Sequence, residues 1–132
     1  MAELEDLEQP EMRCDGVEFP DARLRIASML SSLASPEHQQ RVWLAEVRGP
    51  GDVDDLTMVV NFLDDTRVLE DPEGLVGEVL RNRNEARAMR ELSDVLYALI
   101  DDLEEAPDSA YLASRSWPSV VEAARRALRS MA

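Results

Sequence analysis

The stretch Asn84–Leu103, NEARAMRELSDVLYALIDDL, decides the fold. Its apolar residues Met89, Leu92, Val95, Leu96, Leu99 and Leu103 recur in steps of three and four, which gathers them on one stripe of a helix. An amphipathic helix of this length has to bury that stripe against other elements. The segments on either side should therefore carry a matching period, and they do.

Upstream, Pro20 suits a first helical position, and Ile26, Met29, Leu30 and Leu33 repeat at helix spacing through PDARLRIASMLSSLA. In SPEHQQRVWLAEVRGPG, Ser35 can cap a second helix, Pro36 opens it and Gly49-Pro50-Gly51 stops it. DVDDLTMVVNFLDD is ambiguous, because Val59, Val60 and Phe62 favour sheets. Leu56, Val59, Val60 and Leu63 nevertheless follow the helical period, with Asp52 as the cap. DPEGLVGEVL is predicted as a short helix capped by Asp71 and opened by Pro72. Downstream, DSAYLAS gives a short turn of helix after Pro107, and Trp117, Val120, Val121, Ala124 and Leu128 form the face of a last helix. The expectation is an all-α, compact single-domain bundle of five to six helices over residues 18–132. Residues 1–17, acidic and poor in large apolar side chains, read as a flexible acidic N-terminal arm.

Composition narrows the function classes. Residues 1–12, MAELEDLEQPEM, have no apolar core of a leader, and no run approaches the roughly 18 apolar residues of a membrane span, so the chain reads as soluble and cytoplasmic. One cysteine, Cys14, and one histidine, His38, are too few for a zinc cluster or an intramolecular disulfide. A formal net charge of −14 repels phosphate backbones, which disfavours nucleic acid and favours a basic protein partner; a homodimer is the other form of self-contained association. All 14 basic residues are arginines, the bias that a GC-rich coding sequence produces by itself.

The charges sit at the wrong helix ends. Helix dipoles favour acids in the first turn and bases in the last, yet Arg81, Arg83, Arg87 and Arg90 crowd the start of the central helix and Asp101, Asp102, Glu104 and Glu105 its end. The preceding helix likewise finishes on Asp64 and Asp65. Either antiparallel neighbours set arginine-rich ends beside acidic ones, or Asp64, Asp65, Asp101 and Asp102 form an acidic surface for a cation or a basic partner. Tyr111 and Trp117, in YLASRSWPSVV, are candidates for an aromatic groove between the last two helices, the other reading being a clamp that locks the C-terminal helix. Trp43 reads as a core wedge, and His38 as a solvated residue at a helix start.

Glu91 and Asp94 in RELSDVLYALIDD stand three apart and share a helix face, an arrangement that can hold magnesium when other helices add oxygens. The stretch resembles the E-x-x-D helix of the all-α MazG-type nucleotide pyrophosphohydrolases. That resemblance implies a magnesium-dependent hydrolase with Glu78, Glu91 and Asp94 as metal ligands, although Gly74 and Leu75 stand where the family's other helix carries an acidic pair. The residue-level alternative pairs Glu91 with Arg87 one turn earlier. QQRVWL, NFLDDT and YLASRSWPSVV together resemble an uncharacterised family of small acidic actinobacterial proteins, from about Phe19 to the C-terminus. That likeness carries no activity. The expected function is a non-enzymatic acidic interaction or regulatory module, immunity-like in character, with no cofactor; the alternative is the magnesium-dependent hydrolase.

Overall fold

The computed structural model describes Cys14, residues 16–44 and residues 55–132. The remainder of the expected acidic arm, the Gly49-Pro50-Gly51 stop and the Asp52 cap lie outside the described residues. Helix α1 spans Pro20–Leu33, with proline in its first turn. Helix α2, Pro36–His38, runs on directly as a π-helical turn, Gln39–Trp43. Ser35 caps α2, its Oγ accepting from His38 N at 3.2 Å.

The ambiguous segment is a helix, α3, Leu56–Thr66, with Leu56, Val59 and Leu63 on its buried face. Its first amides are held by two aspartates: Asp55 Oδ1 accepts from Met58 N at 2.8 Å, and Asp108 Oδ2 accepts from Leu56 N at 3.1 Å. The predicted short helix in DPEGLVGEVL shrinks to one 3₁₀ turn, Glu73–Leu75. Asp71 caps it as expected, accepting from Gly74 N at 3.3 Å. Beyond Leu75 the chain cannot continue as helix, because Val76 is extended and Gly77 takes φ +97°, a left-handed value suited to glycine. Gly77 N then closes a tight loop on Leu80 O at 2.7 Å.

Helix α4, Arg83–Leu103, is the central element and is capped by Asn82, whose Oδ1 accepts from Glu85 N at 3.0 Å. Ala86, Met89, Leu92, Leu96 and Leu99 are buried on its stripe, with Val95 and Leu103 at the margin. Helix α5, Asp108–Ala113, and helix α6, Trp117–Met131, complete the chain. The most extensive packing is α4 on α6, then α6 on α1, and α1 on α3. Because α3 leans chiefly on α1, a cleft is left between it and the C-terminal half of α4.

Two polar groups hold this core together. Arg23 and Glu85, 62 positions apart, are both fully buried and paired in a two-pronged contact at 2.7 and 2.9 Å. The same guanidinium donates to Val79 O and to Met131 O, each at 2.9 Å, so α1, the loop before α4, and the end of α6 meet at one point. Arg81 completes the arrangement: its backbone N and its Nε donate to the two carboxylate oxygens of Glu85 at 2.8 and 2.9 Å. Burial alone would raise the Glu85 pKa, but hydrogen bonds from Arg23 and Arg81 outweigh it and hold the carboxyl below its ordinary value. The second group is Gln39, also buried. It donates to Ser32 O and Leu33 O at 2.9 and 3.0 Å, satisfying carbonyls at the end of α1, and accepts from Trp117 Nε1 at 2.9 Å.

Candidate functional site

The cleft between α3 and α4 has a volume of about 350 Å³ and is closed at one end by α5. Leu56, Val60 and Ile100 give it an apolar floor, and Glu104, Glu105 and Asp108 bring carboxylates to it. Tyr111 lines it from α5, donating from its hydroxyl to Glu104 O at 2.5 Å. Burial raises the pKa of that phenol, and Asp108 and Glu104 raise it further, so Tyr111 stays a hydrogen-bond donor. Glu104 takes φ +54° with ψ −125° as α4 ends, a conformation that strains a side chain with a Cβ.

The four acids expected to form one acidic surface differ in their surroundings. Asp64 accepts a short hydrogen bond from the Tyr97 hydroxyl of α4. Partial burial raises its pKa, and repulsion from Asp65 and Glu70 adds to the shift. Asp65 and Asp101 are exposed, and Asp102 lines a separate hollow of about 410 Å³ with Ser116 and Ser119 of the α6 start. Among the described residues, neither these four nor Glu104 and Glu105 form an ion pair with any arginine. Of the arginines at the start of α4, two are answered locally instead, Arg81 by Glu85 and Arg90 by Glu73 at 2.6 Å. The expected pairing of opposite helix ends does not supply their partners.

Tyr111 and Trp117 do not share an open groove. Both are only 4% exposed, and the Trp117 ring stands edge-on to Trp43 at a centroid distance of 6.1 Å. With its indole N–H on Gln39, Trp117 is committed to locking α6 against α2 and its π turn. Trp43 is buried as a core wedge, and His38 is half-buried with its ring edge-on to Trp43 at 6.5 Å.

The three carboxylates implied by the MazG likeness are also apart in role. Glu91 pairs with Arg126 of α6 at 3.6 Å, not with Arg87 as expected, because α6 runs alongside α4 and presents its own arginines there. Glu78 lies on the turn before α4, where its carbonyl accepts from Phe19 N at 2.8 Å. Asp94 is exposed on α4. Among the described residues no group of three or more His, Cys, Asp or Glu side chains is gathered closely enough to hold a metal ion.

A model of the family described as Domain of unknown function (DUF7945) matches residues 17–132. The chain belongs to this family. The match begins close to Phe19, where the sequence likeness to an uncharacterised family starts, and covers every described helix. No curated protein and no solved structure matches the chain. No helix among the described residues is long and apolar enough to cross a membrane. In this DUF7945 chain the cleft residues that sequence reasoning passed over as site residues are Asp108 and the floor residues Val60 and Ile100. Glu104 and Glu105 were visible as acids at an unfavourable helix end; what the sequence does not show is that α3 stands off from them and makes the end concave.

Proposed function

We propose that this protein is a non-enzymatic interaction module that takes a basic side chain of a partner protein into the cleft between α3 and α4. The observation that carries the reading is the pairing of Glu104 and Glu105, which have no ion-pair partner among the described residues, with an apolar floor of Val60 and Ile100. An arginine or lysine has the matching shape, an aliphatic stem that lies on apolar surface and a cationic head that seeks carboxylate. The net charge of −14 supports the same partner class by steering basic surfaces toward the molecule. We infer a regulatory or immunity-like role in the cytoplasm, where the lone Cys14 would stay reduced.

The test is fluorescence anisotropy with an arginine-rich peptide and a glutamate-rich control. Binding of the basic peptide should weaken as salt rises. Glu104→Gln with Glu105→Gln should lower its affinity about tenfold, whereas Asp65→Asn should lower it much less. Absence of binding at low salt, or equal loss in the Asp65 variant, would reject the cleft as the docking point.

A further inference from the structure

We propose that a second hollow, at the start of α4, is an anion site for a small molecule bearing a phosphate monoester. It has a volume of about 560 Å³, inside the range of small-ligand pockets, and is lined by Glu73, Val76, Arg83, Ala86, Arg87 and Arg90. The three arginines are spaced by four and three positions and so share one face of the helix. Only Arg90 is answered, by the exposed carboxylate of Glu73 at 2.6 and 3.4 Å. Arg83 and Arg87 have neither an ion pair nor a side-chain hydrogen bond among the described residues.

That is unexpected in a chain with 28 acids and 14 arginines, where carboxylates are in excess. Two like charges at this spacing repel each other, and an anion between them removes the repulsion. Guanidinium forks bond two oxygens of one phosphate at once, which a free halide cannot match. Val76, an exposed large apolar side chain, and the buried Ala86 supply an apolar shoulder for the organic part of the ligand. A polyanion such as nucleic acid is disfavoured, because beyond this hollow the molecule's field is strongly negative. Glu73 competes with the ligand for Arg90, so the hollow carries its own intramolecular rival.

Isothermal titration calorimetry on the full chain at low ionic strength provides the test, with inorganic phosphate, phenyl phosphate and glutarate as probes. Phenyl phosphate should bind more tightly than inorganic phosphate, and both more tightly than glutarate. Arg83→Gln with Arg87→Gln should cost about tenfold or more in phenyl phosphate affinity, while Arg115→Gln, an exposed arginine beyond the other end of α4, leaves it unchanged. Glu73→Gln should tighten binding several-fold, which a purely structural Glu73–Arg90 pair would not do. No heat with either phosphate probe, glutarate binding best, or equal loss in the Arg115 variant would overturn the proposal. Because the probes are anions, failure here leaves the basic-peptide test of the α3–α4 cleft untouched.

Discussion

Glu85 shows how much one side chain can hold. It accepts from Arg23, from the Arg81 backbone and from the Arg81 side chain, all with no exposure of its own. Removing one member of a buried ion pair leaves the other charged and dry, which costs about 3–5 kcal/mol, whereas replacing both by apolar groups often costs little. Glu85→Gln should therefore destabilise the protein by about that amount in urea denaturation, and Arg23→Met with Glu85→Leu should recover part of it. The pH dependence has a definite sign. Since the folded pKa lies below the ordinary value of 4.5, the contribution of Glu85 is present in full above that value and is lost as pH falls through the lower folded pKa. Asp64 works in the opposite sense: its folded pKa is raised, so stability is lost as pH climbs through it from 3.8 upward. Acid titration of stability in Glu85→Gln should be flatter below about pH 4.5 than in the parent chain. None of this was legible from sequence, because an arginine and a glutamate 62 positions apart look like two surface residues until the helices are packed.

At the scale of elements, the apolar stripes were sufficient. The period in Asn84–Leu103 locates α4, and Leu56, Val59 and Leu63 settle the ambiguous segment as helix. One element that came out differently, DPEGLVGEVL, fails as a helix at Gly77, whose positive φ turns the chain back toward Leu80. Between elements, Trp117 and Gln39 link α6 to the π turn. Trp117→Phe keeps an aromatic side chain, though a smaller one, and leaves the Gln39 Oε1 without its Trp117 donor, so a loss of at least about 1–3 kcal/mol is expected in thermal or chemical unfolding. The end of α4 gives a prediction in the other direction. Glu104 holds a backbone conformation that costs of order 1–3 kcal/mol in a residue with a Cβ. Glu104→Gly should raise the melting temperature while weakening the basic peptide, so that stability and binding move apart in one variant. If both rise together, Glu104 is not part of the docking surface.

The whole molecule is governed by its charge balance. With a net charge of −14 and acids at two helix ends that have no arginine partner among the described residues, self-repulsion opposes the compact state. The melting temperature should therefore rise from low to high sodium chloride, the reverse of what a protein held by surface ion pairs would do. Scanning calorimetry across a salt series is sufficient to check it. The sequence marked where these acids were but not how they were distributed, since that depends on α3 leaning on α1 and standing off from α4. The meeting point of Arg23, Glu85, Val79 and Met131 has one more consequence, in the order of opening. Amide protons in α1, α4 and α6 should exchange with solvent only through one shared, global event, because none of the three can leave without breaking the same node. Those of α3, which takes no part in that node and whose first amides are held by Asp55 and Asp108, should exchange sooner and independently, marking it as the part of the molecule that can yield to a partner while the rest stays closed.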